Sequence, residues 1–268
     1  MKNTCKKLFL HGGPGLHAVV ERAWFGDTLP ILWWDQPAVA ADDPAPFRTL
    51  VAHAAGQLRA LAGSSGGQVD LIAHSFGGQI AAVLANEHPT LIRRITLLGC
   101  APPDPFRPFL LVGQRLLEAG YERPGLQDAM QAAQQNPDDD RFAALIQACF
   151  PDPFIPDIYF GPASAAAKDR YLALASVAPP VDLTTFFAVM IESIHASPLA
   201  RVEACPEHRR RRFAGEVVAL LGKHDPVLRV EESTEKWREI FPQAQFKVMD
   251  AGHFLHLELP PEAWLGHP

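Results

Sequence analysis

A chain of 268 residues is long enough for one well-buried core, or for a core plus an inserted subdomain. Apolar residues make up 48% of it and charged residues 20%, which excludes a disordered chain. The net charge of -6 speaks against a nucleic-acid or anionic-membrane partner and leaves a small-molecule substrate as the expected one.

In chain order, the basic start Met1 to Lys7 is followed only by Leu8-Phe9-Leu10, too short an apolar run for a signal peptide. No later run reaches transmembrane length, so no membrane association is expected. Cys5, Cys100, Cys149 and Cys205 are scattered without a CxxC pair. That pattern suggests neither a disulfide framework nor a metal site, and it fits a cytoplasmic location. The short runs Lys7 to Leu10, Ile31 to Trp34, Val69 to Ala73, Ile95 to Leu98, Glu216 to Leu221 and Phe246 to Met249 read as buried parallel strands. They do not alternate, because strands covered by helices on both faces need apolar residues on both. Helices are predicted between them. Phe47 to Leu61 carries Leu50, Val51, Ala54, Leu58 and Leu61 at close to helical spacing; Gln79 to Glu87 ends before Pro89, and Glu231 to Phe241 before Pro242.

Strand-helix alternation of this kind predicts a doubly wound, mostly parallel α/β sheet with right-handed crossovers. The rhythm breaks between Ala101 and Arg212, a proline-rich stretch too long for a loop. It holds helical pieces at Pro108 to Ala119, Arg141 to Cys149, Ala165 to Val177 and Thr184 to Ser193. The division expected is a core of residues 1–100 and 213–268, with residues 101–212 forming a helical cap over the carboxyl edge of the sheet, where ligands bind in such folds. The basic run Arg209 to Arg212 reads as a solvated connector.

The chemistry concentrates at three strand ends. Ala73-His74-Ser75-Phe76-Gly77-Gly78 joins a strand to a helix through small residues, the layout of a nucleophile elbow, with Ala73 standing where glycine is usual. Ser75 is then the candidate nucleophile. A serine needs a base, and the base a carboxylate to orient it. Asp225, in the loop after the strand ending near Leu221, and His253, in the loop after Met249, supply both in the chain order Ser, Asp, His. Asp104 is the alternative acid. Behind the first strand, His11-Gly12-Gly13-Pro14-Gly15 lets the chain turn under a substrate; the N–H groups of Gly13 and Phe76 are the candidate oxyanion donors, and His11 is expected to bond the loop backbone. The loop lacks both the Lys-Ser/Thr of a P-loop and GxGxxG spacing, so phosphate binding is not expected. Phe106, Phe109, Leu110, Phe154 and Phe160 are candidates for an apolar substrate pocket in the cap, or equally for the cap's own core. No metal and no organic cofactor is implied.

Taken together, His11 to Gly15, Asp35-Gln36, Ala73 to Gly78, Asp225 and Gly252-His253 resemble the α/β-hydrolase superfamily, and the His-Gly-Gly-Pro-Gly loop is similar to that of its proline iminopeptidase branch. The resemblance implies a serine hydrolase acting on a small ester, thioester or amide, with Ser75 as nucleophile, Asp225 as acid and His253 as base. The narrower alternative is a proline iminopeptidase. The same scaffold also admits a lyase, a cofactor-free oxygenase or a ligand receptor. Three departures leave the substrate class open. Asp35-Gln36 is followed by Pro37-Ala38-Val39 where the branch has Arg-Gly, the usual leading hairpin is missing, and the stretch after His253 is short. In that branch cap carboxylates hold a free amino terminus, a role for which Glu192 is a candidate.

Overall fold

Six strands pair in parallel along their whole length: β1 (Lys7–Leu10), β2 (Ile31–Trp34), β3 (Val69–His74), β4 (Ile92–Leu98), β5 (Glu216–Gly222) and β6 (Gln245–Met249). Their spatial order is β2-β1-β3-β4-β5-β6. The computed structural model describes residues 6–40, 42–102, 107–121, 123–136, 138–149, 156–178, 183–195 and 213–266.

Each face of the sheet has its own core, which is why the inner strands β1, β3, β4 and β5 are apolar without alternation. On one face Leu8, Leu10, Leu71, Ala73, Ile95, Leu97, Val217 and Ala219 pack under α2 (Pro46–Ser65), α3 (Gly77–Glu87) and α9 (Val230–Ile240). On the other, Phe9, Ile72, Leu98, Val218 and Leu220 meet Val20 and Phe25 of α1 (Val19–Phe25), Leu255 and Leu257 of the short helix α10 (Leu255–Glu258), and Trp264. Burying a side chain of this size stabilises by roughly 1.5–3 kcal/mol relative to leaving it exposed.

Between β4 and β5 lie α4 (Arg107–Glu118), α5 (Leu126–Gln135), α6 (Asp139–Cys149), α7 (Ala165–Ala175) and α8 (Leu183–His195). Phe109, Val112, Leu116, Leu126, Phe142, Leu145 and Ile146 form the apolar centre of the first three. Helix α8 lies against α2, and α7 against α1.

Four elements differ from the expectation. Phe246 to Met249 belongs to a strand, β6, but not a buried one: it is the edge strand and is largely exposed, Val248 to 53%. Strand β4 starts at Ile92, before the apolar run, because Arg93 forks onto Asp70 of β3 at 2.8 and 2.7 Å and so satisfies that buried carboxylate across the ladder. Helices α1 and α5 were not expected. α1 is seven residues long, too short to show a period, and the apolar face of α5 is narrow, with only Leu126 and Ala133 buried and Met130 packed beside them. The chain runs to opposite sides from β1, toward β2 and toward β3, so the strand order reverses there. In open α/β sheets ligands bind at such a reversal, here at the carboxyl ends of β1 and β3, where the glycine loop and the elbow follow.

Candidate active site

Ser75 stands at the end of β3 with φ 53°, the one non-glycine residue at positive φ among the described residues. Left-handed backbone costs an L-residue about 1–2 kcal/mol, a strain that is kept where a side chain must be aimed. The turn is held by Ser75 N–H donating to Leu98 O at 3.0 Å and Gly78 N–H to Ser75 O at 3.1 Å. Ser75 is half-buried, hence reachable. The glycine loop lies directly on it. A Cβ added to Gly12 would come within 2.7 Å of the Ser75 Cβ and 3.1 Å of His74 Nδ1, so only glycine allows this approach.

Gln36, at the end of β2, clamps that loop. Its amide donates to Gly13 O at 2.8 Å and accepts from Gly15 N–H at 2.8 Å. Asp35 accepts from Ala18 N–H at 2.9 Å and from Arg22 at 3.0 Å, fixing the loop's exit into α1. Its carboxyl lies below the ordinary carboxylate range: burial pushes it up, but the Arg22 and Ala18 hydrogen bonds outweigh that. The Asp-Gln pair thus has a role that its motif alone did not disclose. His11 donates from Nδ1 to Gly12 O at 2.8 Å and is buried.

Asp225 and His253 meet because the loops after β5 and β6 continue the ladder. Lys223 N–H donates to Met249 O at 2.9 Å and His224 N–H to Ala251 O at 3.0 Å. His253 Nδ1 lies 2.9 Å from Asp225 Oδ2, with the carboxylate side chain fully buried and the ring 6% exposed. The second carboxylate oxygen accepts from Val227 N–H at 2.9 Å. A carboxylate accepts only, so His253 donates from Nδ1 to Asp225. Gly99, with φ 56°, sits beneath the pair. Asp104 lies outside the described residues. His224 Nε2 pairs with Asp250 Oδ1 at 2.9 Å, tying the two loops together.

What stands behind His253 carries no signal in the sequence. His74 Nε2 lies 3.1 Å from His253 O, and its ring is 4.8 Å from that of His253 and 4.5 Å from that of His256. A carbonyl accepts, so His74 donates from Nε2. Burial, reinforced by the neighbouring His256 and His253, holds His74 well below its ordinary range, so it is neutral near pH 7. His256 is fully buried and pairs with the buried Glu21 at 3.1 Å. Burial pushes Glu21 up, but that hydrogen bond and the charge of His256 hold its carboxyl below the usual range. A lone histidine in sequence carries no sign of such pairing.

The pocket candidates divide. Phe106 and Phe154 lie outside the described residues. Phe109 is buried among the insertion's helices, its ring 5.3 Å from Phe142. Phe160 is buried against Phe254 at 5.0 Å and Tyr171 at 5.6 Å, and Phe254 in turn touches the His253 ring at 5.5 Å. Glu192 Oε2 accepts from Phe47 N–H at 2.6 Å, so this carboxylate caps α2 from the inserted helix α8. The Phe47 ring packs edge-on to Phe76 at 5.9 Å.

A parallel six-stranded sheet of this order, with serine, aspartate and histidine after β3, β5 and β6, defines an α/β-hydrolase fold. The chain belongs to the Alpha/beta hydrolase family, whose sequence model matches residues 8–265. No curated protein matches it. Among solved structures it is similar to a proline iminopeptidase-related protein from Thermus thermophilus, with 21% identity and a TM-score of 0.60 over 95% of this chain and 84% of that one. It is also similar to a thermophilic esterase from Thermogutta terrifontis, with 19% identity and a TM-score of 0.57 over 96% and 85%. A third likeness is to Est816, an N-acyl homoserine lactone degrading enzyme, with 17% identity and a TM-score of 0.54 over 96% and 89%. At such identities these likenesses speak for the fold alone.

Proposed function

We propose that the protein is a serine hydrolase that cleaves a small ester, thioester or amide through an acyl-enzyme on Ser75. The observation that carries this reading is the buried His253–Asp225 pair at 2.9 Å, on the same sheet edge as a serine strained into positive φ. His253 Nε2 takes the Ser75 proton as the hydroxyl oxygen attacks the carbonyl carbon. Asp225 keeps the ring oriented and stabilises the imidazolium that forms. The tetrahedral oxyanion is received by the N–H groups of Gly13 and Phe76, the first on the loop that Gln36 clamps, the second at the start of α3. His253 then returns the proton to the leaving group. Water, activated by the same base, releases the acyl group. The family supports hydrolysis as the reaction class.

The proline iminopeptidase reading is the narrower one, favoured by the glycine loop and by one structural neighbour. Against it, the carboxylate that would hold an amino terminus, Glu192, is already engaged by Phe47 N–H. We read the segment between β4 and β5 as a cap over the site, and the protein as cytoplasmic, in keeping with the buried free thiols Cys100 and Cys149. A fluorophosphonate probe tests the central assignment. Folded protein takes up one probe at Ser75 and Ser75→Ala takes up none; equal labelling of both, or labelling of neither, contradicts it. Turnover of a proline anilide above that of short acyl esters moves the assignment to the iminopeptidase.

A further inference from the structure

Glu258, the last residue of α10, is half-buried and lies behind the base-bearing loop. Its carboxylate gathers two backbone N–H groups from distant parts of the chain. Gly161 N–H donates to Oε2 at 2.8 Å, and Gly252 N–H is shared between both oxygens at 3.0 Å. Gly252 immediately precedes His253, whereas Gly161 belongs to the segment inserted between β4 and β5. The two segments touch at backbone distance. His253 N–H donates to Tyr159 O at 2.7 Å, and a Cβ on Gly252 would fall 2.3 Å from that same carbonyl oxygen and 2.7 Å from Gly161 N. With His74 donating to the His253 carbonyl at 3.1 Å, both backbone polar groups of His253 are bonded.

We propose that Glu258 is a positioning residue for His253: it locks the inserted strip Tyr159–Gly161 onto Gly252–His253, so that the base is held against Asp225 by the insertion itself. The inference rests on the reading of His253 as the base. A charge-assisted acceptor shared by two N–H groups is a strong clamp, and a ring displaced by about an ångström is enough to cost a large factor in rate.

Three variants and two measurements test it. Glu258→Ala removes the clamp, and Glu258→Gln keeps one oxygen able to accept both N–H groups. Glu232→Ala removes the partner of Arg107, 3.0 Å away, and loosens the insertion at α9, away from the base. In Glu258→Ala the rate of fluorophosphonate labelling and the kcat for p-nitrophenyl acetate fall about tenfold or more with KM nearly constant, while Glu258→Gln recovers most of the rate. Glu232→Ala lowers the melting temperature but keeps kcat. Should Glu258→Ala not fold, Glu258→Asp, one methylene short of both N–H groups, takes its place. The second measurement needs no turnover: the downfield proton resonance of His253 Nδ1–H, identified by its loss in Asp225→Asn, broadens in Glu258→Ala and persists in Glu258→Gln. An unchanged resonance and rate in Glu258→Ala overturn the inference. So does a loss of rate that tracks lost stability equally in all three variants. Wild-type protein that takes up no probe contradicts the hydrolase reading instead, and the resonance still decides the role of Glu258.

Discussion

At the scale of single residues, the site depends on positions where one atom too many is not tolerated. Gly99 is the sharpest case. Its φ of 56° favours glycine, and a Cβ there would lie 2.9 Å from His253 O, 3.0 Å from Asp225 Oδ2 and 3.3 Å from His253 Nδ1. Gly99→Ala is therefore expected to cost about 1–2 kcal/mol from the backbone alone and, in addition, to spread the acid-base pair. Urea unfolding measures the first effect and probe labelling the second; a variant with wild-type values in both would contradict this account of Gly99. Protonation follows from burial in the same way. His74 and His11 are held below the ordinary histidine value by desolvation, so the folded protein binds fewer protons than the unfolded chain once the pH drops below about 6.5. Stability contributed by these groups is full above that pH and is lost as the pH falls toward their folded values. Glu21, held low, adds a loss in the same direction at lower pH. The urea midpoint is expected to fall between pH 7.5 and 5.5; a constant or rising midpoint would refute this.

At the scale of elements, what burial dictates was readable and what partners dictate was not. The six strands announced themselves as apolar runs, and Asp225 and His253 were legible because each follows such a run at its carboxyl end. The first residues of β4 were hidden, since Arg93 belongs to a strand only by virtue of Asp70 on its neighbour. Gln36, Glu258 and the Glu21–His256 pair were hidden for the same reason: each acts through a backbone group or ring far away in sequence. Glu192 is another such residue. By accepting from Phe47 N–H it supplies α2 with the N-cap that Ala45 cannot give. Glu192→Ala is expected to cost about 1 kcal/mol, seen as a melting temperature lower by a few degrees, with Glu192→Gln close to wild type because its amide oxygen still accepts. Equal losses in both variants would assign the effect to charge rather than to capping.

At the scale of the whole molecule, the sheet order and the chain reversal beside β1 bring the glycine loop, the elbow and the base loop to one edge. The insertion reaches that edge from two sides, through Glu192 near Phe47 and Phe76 and through Tyr159–Gly161 at His253. On the proposed mechanism Asp225 orients His253, so Asp225→Asn is expected to leave the fold intact while lowering kcat by roughly 10⁴, the loss seen when a triad carboxylate is neutralised. The central claim is that Ser75 carries the acyl group. Rapid quenching of the protein with p-nitrophenyl acetate, followed by mass mapping of its peptides, tests this most directly. The account predicts one acetyl group on the peptide containing Ser75, formed in a burst in the wild type, formed and lost far more slowly in His253→Ala, and absent in Ser75→Ala. Turnover of the ester with Ser75 unmodified, or an acetyl group elsewhere that survives Ser75→Ala, would contradict it.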